Sequence, residues 1–481
     1  MIFNSIEFLI FLLIVFLIYW KLLNHHLKAQ NFFVLAASYL FYGWWDWRFL
    51  SLIIISTLSD FIIGQLLEKQ AEKKKRKLLL WASIVVNIGI LGFFKYYNFF
   101  IENFITAFQS LNIELQYSTL QVILPVGISF YTFQTLSYTI DIYRGKLKSA
   151  KDPIAFFAFV SFFPQLVAGP IERASNLLPQ FQSSRKFDYK TATDGLRQIL
   201  WGMFKKVVIA DNCAPFVNDI FSQHAELSGS TLLIGAVLFA FQIYGDFSGY
   251  SDIAIGTARL FGFNLMRNFA YPYFSRDIAE FWRRWHISLS SWFRDYVYIP
   301  LGGSRGTKIQ QLKNVFVIFL VSGFWHGANW TFISWGALHA ILFIPLLLLN
   351  KNREHLNISA ENKVLPSFRE LLKILTTFTT VTIAWIFFRA ENIAQAFDYI
   401  YIIGSSPLSP IDYFATEDLL FIFSLIGLLV GVEWLSRNEE HGLVVSDQFK
   451  NLSATVKKTG RLVFYYFLVF IILYFCNNQQ S

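Results

Sequence analysis

Long apolar segments alternate with short polar segments along almost the whole chain. A helix needs about 20 apolar residues to cross the hydrocarbon core of a bilayer. The pattern therefore predicts an all-α polytopic membrane protein. The predicted crossing segments are 6–23, 31–45, 49–67, 78–100, 122–140, 231–250, 314–330, 331–350, 371–389, 418–436 and 462–476.

Two further apolar segments are ambiguous. Residues 153–170 contain three prolines, and residues 195–212 carry Lys205 and Lys206. One of them must cross if the basic loops are to stay on one side, and the other is then re-entrant or interfacial. The count becomes about 11 to 12 crossings, with both termini outside the cytoplasm.

Charge predicts the orientation, because cytoplasmic loops carry an excess of Lys and Arg. Residues 69–77 hold six basic side chains and are expected inside the cell. The basic segments 144–151, 267–313, 351–373 and 437–461 should share that side. The external segments should be 102–121, 213–230 and 391–417, which contain no Lys or Arg.

Composition agrees with a lipid environment. Of 481 residues, 55% are hydrophobic and only 15% are charged, where a soluble chain carries about a quarter. Mean hydropathy is +0.44. We attribute the net charge of +9 to cytoplasmic loops rather than to binding of nucleic acid. The widely separated Cys213 and Cys476 are expected to be free thiols.

The loop 267–313 is too long for a simple connector. Aromatic and apolar side chains recur in it at helical spacing, which predicts an amphipathic helix at the membrane interface. A turn-rich segment, 300–306, follows. The loop could receive a phosphorylated donor; the alternative is ordinary cytoplasmic charge plus a turn. The helix face comprises Trp282, Trp285, His286, Leu289, Trp292, Phe293 and Tyr296, flanked by Arg283, Arg284 and Arg294.

Two histidines, His326 and His339, lie within predicted crossing segments. Ionisable groups at membrane depth are costly and point to function. If the segment after Lys313 is helical, His326 lies some 20 Å into the membrane. Gly323 and Gly327 would permit close backbone approach or a local break, and Trp325 and Trp330 could wall a pocket. A desolvated imidazole stays neutral and can act as a general base.

The residues also allow plainer roles. His326 could simply form a hydrogen bond between helices. For His339 this structural role is favoured over a functional one. His286 could be a satisfied core residue. Asp246 and Asp252 fit helix capping and pairing with the arginines of 267–305 better than acid/base chemistry. The spacing supports no metal cluster, phosphate-binding loop or catalytic triad.

Three groups of residues resemble the membrane-bound O-acyltransferase (MBOAT) family, in particular its bacterial polysaccharide O-acetyltransferases. They are Phe281–Ser290, Tyr298–Gly303 and Gly323–Gly327. The resemblance also includes 124–130, 165–173, 244–252 and 385–390, and it covers nearly the whole chain. The resemblance implies one integral membrane domain, 1–481, with helices around a tunnel. Within it, 267–313 would be the cytoplasmic-side helix and loop, and 314–350 would carry the catalytic histidine.

The resemblance also implies a chemistry. His326 would be the catalytic histidine, and His286 would assist at the cytoplasmic side. The donor would be acetyl-CoA, with no permanently bound cofactor. The acyl group would cross the bacterial inner membrane to an exported polysaccharide or peptidoglycan, with a periplasmic SGNH-type transferase as partner. The candidate substrate- or donor-binding residues are Trp285, Arg283, Arg284, Trp325, Asn329, Tyr298 and Asp246, with His339 secondary.

Two other functions remain open at this point. Members of the same family that transfer D-alanine share both histidines and take their donor from a carrier protein. A transporter without chemistry would show repeat symmetry between two halves of the chain. The sequence shows no such symmetry.

Overall fold

The computed structural model describes residues 1–113, 115, 120, 122–361, 363–406, 409–411, 413, 416–444 and 454–478. Over these residues the regular structure is helical and contains no strand, which confirms the predicted all-α class. Contacts between Cα atoms divide the chain into two compact units. The first comprises Met1–Ala192 with Ala258–Leu265, and the second comprises Thr193–Thr257 with Met266–Ser481. The single-domain organisation stays a prediction.

Helices account for most of both units, and short π-helical or 3-10 turns join several of them. Up to residue 192 the helices are α1 (Ile6–Leu17), α2 (Leu27–Asp46), α3 (Leu50–Lys69), α4 (Lys73–Leu91), α5 (Tyr97–Gln109), α6 (Ile128–Tyr143), α7 (Pro153–Ser161), α8 (Phe163–Leu166), α9 (Ala174–Gln182) and the start of α10 (Tyr189–Met203). The later helices are α11 (Asp211–Ser222), α12 (Gly229–Leu260), α13 (Ile278–Arg284), α14 (Ile287–Phe293), α15 (Lys308–His326), α16 (Trp330–Leu348), α17 (Phe368–Arg389), α18 (Ile393–Ser405), α19 (Thr416–Leu435) and α20 (Ala454–Asn478).

Seven helical stretches in the described residues are long and apolar enough to cross a membrane. The first two have 43 and 37 residues, so each is long enough for two crossings. The chain is therefore a multi-pass membrane protein, while the count of 11 to 12 crossings stays a prediction. The stretches are Leu27–Lys69, Lys73–Gln109, Gly229–Leu260, Trp330–Leu348, Phe368–Arg389, Glu417–Leu435 and Thr459–Cys476.

Three predicted crossings fall outside these seven stretches. Helix α1 has only 12 residues before a π-helical turn, and α6 begins at Ile128 rather than at 122. Helix α15 is polar over its first turns and ends at His326 rather than at 330. The ambiguous segment 153–170 forms two short helices broken at Phe162, whereas 195–212 lies within α10, a π-helical turn and the start of α11.

A buried polar network joins three helices of the first unit. The carboxylate of Asp60 on α3 accepts hydrogen bonds from Ser83 Oγ (2.6 Å) and Asn87 Nδ2 (2.7 Å) on α4. Thr135 on α6 donates to Asn87 Oδ1 (3.0 Å). Side-chain hydrogen bonds of this kind can hold helices together where lipid supplies no hydrophobic driving force.

In the second unit, α12 packs closely on α10 and the π-helical turn Phe204–Ala210. A Cβ on Gly249 would lie 2.8 Å from the Gly202 carbonyl oxygen, so glycine is required for this approach. The approach brings Lys205 to Asp252 (2.6 Å) and Lys206 to Asp246 (2.5 Å). The expected pairing of these carboxylates with arginines of 267–305 is therefore wrong, because lysines on the adjacent turn are closer.

The predicted interfacial helix is also different in the structure. It is two seven-residue helices, α13 and α14, separated at Trp285 and His286. His286 has φ +44°, a left-handed conformation that an α-helix cannot continue through. The aromatic face predicted for this segment packs inside the protein rather than on the membrane surface, because Trp285 and Phe293 are each only 2% exposed.

Candidate active site

Helices α15 and α16 form a tight hairpin that carries His326. A Cβ on Gly323 would clash with the carbonyl oxygen of Phe332, and a Cβ on Gly336 would clash with that of Phe319. The two backbones therefore meet at a pair of glycines, as the sequence suggested for Gly323. Close approach of this kind is typical of small residues at helix interfaces in membranes.

His326 lies at the C-terminal end of α15, where the hairpin turns. The helical path from Lys313 to His326 is confirmed. Gly327 is extended and ends the helix, and the side chain of Asn329 caps α16 by accepting from Thr331 N (3.0 Å). As a residue, His326 is partly exposed and not fully buried.

Aromatic rings surround the His326 imidazole. Ring centroids lie at 4.8 Å for Trp325, 5.3 Å for Trp335 and 5.3 Å for Phe388 of α17. Trp335 takes the wall position that was expected for Trp330, which is 51% exposed. The site thus presents an imidazole in an apolar enclosure, where little water competes with a reacting group.

His286 is fully buried beside this enclosure. Its ring centroid lies 6.4 Å from that of His326 and 6.0 Å from that of Trp325. Desolvation, together with the nearby His326 imidazole, lowers the pKa of His286 well below its ordinary value. A neutral imidazole accepts a proton or hydrogen bond through its unprotonated nitrogen. The two histidines that the sequence singled out are therefore neighbours.

Asn268 holds His286, and sequence reasoning missed it. Asn268 Oδ1 lies 3.0 Å from His286 Nδ1 and also accepts from Ser288 Oγ (2.8 Å). Two backbone hydrogen bonds connect the same segments, Ile287 N to Asn268 O (2.8 Å) and Ala270 N to Arg284 O (2.9 Å). No spacing rule links a loop asparagine to a histidine so distant in the chain, so the sequence offered no signal.

His339 lies one layer further away, on α16. Its Nδ1 accepts a hydrogen bond from Trp282 Nε1 (3.2 Å), and its ring packs against Trp335 with centroids 4.9 Å apart. Trp335 therefore lies between His339 and His326 in the aromatic cluster. This geometry fits a supporting position.

Two tryptophans complete the aromatic cluster. Trp285 packs against Trp385 of α17 (5.0 Å), and Trp385 stacks on Trp335 (5.5 Å, 20° between planes). Burying large rings provides rigidity, and each aromatic pair adds about 0.5–1.5 kcal/mol beyond area burial. The segment 385–390 carried part of the family resemblance, and its Trp385 and Phe388 prove to be site residues that were not predicted.

The predicted donor-binding arginines have structural partners. Arg283 donates to the carbonyl oxygens of Asn352 (2.8 Å) and His355 (2.7 Å). Arg284 donates to Glu280 Oε1 (2.7 Å), which also accepts from Arg276 Nη2 (3.0 Å). Arg284 also donates to the carbonyl oxygen of Asn357 (3.1 Å), so Arg283 and Arg284 both fasten the loop after α16 to α13.

The remaining candidates lie apart from the histidine pair. Asn329, besides its capping role, donates to the Glu391 carbonyl (2.9 Å). Tyr298 packs against the cluster formed by Val315, Ala340 and Leu347. Asp246 is paired with Lys206. Of the predicted binding residues, Trp325 contacts both imidazoles, whereas Trp285 joins the surrounding aromatic cluster through Trp385.

Fold and site together define a multi-pass membrane protein with a sheltered pair of imidazoles. Residues 147–364 match the model of the membrane-bound O-acyltransferase family. The probable alginate O-acetylase AlgI of Azotobacter vinelandii is 40% identical over 399 residues, which is 82% of this chain and 76% of the relative. The peptidoglycan O-acetyltransferase of Helicobacter pylori is 37% identical over 389 residues, which is 76% of this chain and 71% of the relative.

A third relative is more distant. The teichoic acid D-alanyltransferase of Streptococcus thermophilus is 30% identical over 286 residues, which is 55% of this chain and 68% of the relative. The chain belongs to the membrane-bound O-acyltransferase family. It is an O-acyltransferase of the membrane, and the histidine pair is its candidate active site.

Proposed function

We propose that the protein transfers an acetyl group from cytoplasmic acetyl-CoA through the bacterial inner membrane to O-acetylate an exported polysaccharide or cell-wall glycan. The observation that carries the proposal is the pair of His286 and His326, 6.4 Å apart inside an aromatic enclosure. Relatives named for O-acetylation match more of the chain, at higher identity, than the relative named for D-alanyl transfer.

In the proposed reaction His326 is the general base. It takes the proton of an acceptor hydroxyl as the hydroxyl oxygen forms a bond to the thioester carbonyl carbon. The carbon–sulfur bond then breaks, and the proton passes from the imidazolium to the leaving thiolate. The products are an acetyl ester and free CoA, so atoms and charge balance without another reactant. General-base help of this kind contributes about 10²–10⁴-fold to a rate.

The aromatic enclosure supports this chemistry in two ways. Water excluded by Trp325, Trp335 and Phe388 cannot hydrolyse the thioester. The partial exposure of His326 leaves one approach open for the reacting groups. An alternative, in which His326 or a nearby group carries the acetyl briefly, uses the same site and would leave labelled acetyl on the protein after rapid quenching.

The phosphates of the coenzyme need cations outside the apolar enclosure. Arg283 and Arg284 already donate to carbonyl oxygens of the loop after α16, so they are poorly suited to this task. Arg305 and Arg353 are exposed on the segments before α15 and after α16, and Lys313 is exposed on α15 itself. We assign the phosphate contacts to these three side chains.

The acceptor hydroxyl would belong to the polymer itself or to a periplasmic SGNH-type transferase that passes the acetyl on. Both present the same nucleophile to His326. Supplying membranes of the wild-type protein with radiolabelled acetyl-CoA, or with a D-alanyl carrier protein, tests the donor. Base-labile label on polymer or partner from acetyl-CoA alone supports the proposal. Label from the D-alanyl carrier alone contradicts it.

A further inference from the structure

The side-chain amide of Asn268 has only one orientation that fits its neighbours. Its Oδ1 accepts from the backbone N–H of Ser288 (3.3 Å) as well as from the Ser288 hydroxyl (2.8 Å). A backbone N–H can only donate, so the atom that faces it must be the amide oxygen. The amide nitrogen then donates to Ser251 Oγ (3.0 Å). Asn268 is fully buried, and these bonds fix it.

This orientation decides where the proton of His286 lies. Nδ1 is 3.0 Å from Asn268 Oδ1, which already has its lone pairs directed at hydrogen-bond donors. Two lone pairs cannot face each other at that distance, so Nδ1 must carry a hydrogen and donate it. In a neutral imidazole the other nitrogen, Nε2, is then the unprotonated acceptor.

Nε2 of His286 is an acceptor without a hydrogen-bond partner in the described part of the chain. It is buried, and leaving a buried polar atom unpaired is unfavourable. The left-handed backbone at His286 and the packing of its ring against Phe247 (centroids 4.6 Å apart) hold the imidazole in place. An unpaired acceptor held so firmly at a reactive site calls for a donor during the reaction.

His326 can supply that donor. The centroid distance of 6.4 Å is too long for a direct hydrogen bond between the rings, but one bridging water would span it. When His326 takes a proton it becomes a cation, and an acceptor on His286 that reaches it through this water would stabilise that cation. In this arrangement His286 orients the base His326, and Asn268 in turn orients His286.

We propose that Asn268 is a positioning residue that fixes His286 in the Nδ1-protonated tautomer, so that His286 Nε2 orients His326 and stabilises its imidazolium through a bridging water. The role in catalysis rests on the proposed acetyl transfer, whereas the tautomer does not. His286 therefore accepts a hydrogen bond in the site and does not donate one to the thioester carbonyl.

Solid-state nitrogen NMR of histidine-labelled protein tests the tautomer directly. The chain has eight histidines, and the His286 signal is the one lost in His286→Gln. Wild type should show this histidine neutral with a protonated Nδ1. Asn268→Leu removes the acceptor and should shift the proton to Nε2, while Asn268→Asp keeps an acceptor oxygen and should preserve the Nδ1-protonated form. An unchanged tautomer in Asn268→Leu would overturn the proposal.

Kinetics test the consequence. Asn268→Leu should lower kcat about tenfold or more, with KM for acetyl-CoA changed much less, because orientation of the base and not donor binding is lost. Asn268→Asp should recover most of kcat. Asn314→Leu is the matched control, since Asn314 is equally buried but bonds to Gly303 and Gln310 away from the histidines. Equal kcat losses in Asn268→Leu and Asn268→Asp, with both proteins folded, would contradict the positioning role.

Failure of acetyl transfer itself is distinguishable from failure of this proposal. If wild-type protein transfers no acetyl group, the proposed function falls and the NMR result still decides the tautomer. If wild type is active and Asn268→Leu matches it in kcat, the positioning role falls and the proposed function stands.

Discussion

The centroids of the His286 and His326 imidazole rings lie 6.4 Å apart, although the two residues belong to separate segments of the chain. His326 ends α15, and His286 occupies the left-handed break between α13 and α14. Trp325 contacts both rings.

Loss of His286 should reduce acetyl transfer without abolishing it. His286→Gln removes the acceptor beside His326 but leaves the base, so kcat should fall about 10- to 100-fold. Because Asn268 is proposed to act through His286, the double variant Asn268→Leu/His286→Gln should lose no more kcat than His286→Gln alone. Additive losses in the double variant would mean that Asn268 and His286 act on catalysis independently.

His339→Ala should cost less activity than His326→Ala. His339 bonds to Trp282 and is separated from His326 by Trp335, so its removal loosens the aromatic cluster rather than the reacting group. We expect a loss of about tenfold or less in labelled-acetyl transfer. A loss as large as that of His326→Ala would reverse the ranking of the two histidines.

Gly323→Ala should damage both stability and activity. The added Cβ would meet the Phe332 carbonyl, which cannot move without opening the hairpin that carries His326. Thermal unfolding in detergent and acetyl transfer measure the two effects. Gly427→Ala on α19 is the matched control, because nothing lies within 4 Å of its Cβ and alanine favours a helix. Equal melting temperatures for the two variants would refute the close approach.

Glu280→Gln should lower the melting temperature. Glu280 is 1% exposed and bonds to Arg276 and Arg284, and breaking a buried pair costs about 3–5 kcal/mol. Burial opposes its charge, but the hydrogen bond from Arg276 and the charge of Arg284 outweigh burial and lower the pKa of Glu280.

The pH dependence follows from that direction. Since the pKa of Glu280 is lower in the folded state, its stabilisation is present above the unfolded value of about 4.3 and is lost as pH falls further. The melting-temperature difference between wild type and Glu280→Gln should therefore shrink below about pH 4. Glu226→Gln, at an exposed position, is the control. It should change neither the melting temperature nor its dependence on pH.

Much of the fold follows from local patterns. Apolar length predicted crossing segments that overlap all seven membrane-length stretches, because hydropathy and helix length depend on neighbouring residues alone. The helical hairpin at Gly323 was also foreseeable, since glycines in an apolar helix commonly mark close packing. The left-handed backbone at His286 was not, because it arises from hydrogen bonds with Asn268 and Ala270 far away in the chain.

The residues of the candidate site also divide into those that the sequence could identify and those that depend on tertiary contacts. His326 and His286 could be selected from residue type and family resemblance. The partners of Arg283 and Asp246 could not, because each is a tertiary neighbour that no spacing rule identifies. The pair of Arg284 with Glu280 has the i,i+4 spacing of a single helix and was open to prediction from the sequence. Phe388 and Trp385 reach the site only because α17 packs against α16.

The most direct test of the account is acetyl transfer by His326→Ala. Membranes containing wild type, His326→Ala or the exposed-histidine control His25→Ala would be supplied with radiolabelled acetyl-CoA at matched protein levels. We predict base-labile label on polymer or partner with wild type and His25→Ala, and none above background with His326→Ala although that protein inserts normally. Wild-type levels of acetyl ester in His326→Ala would contradict the account.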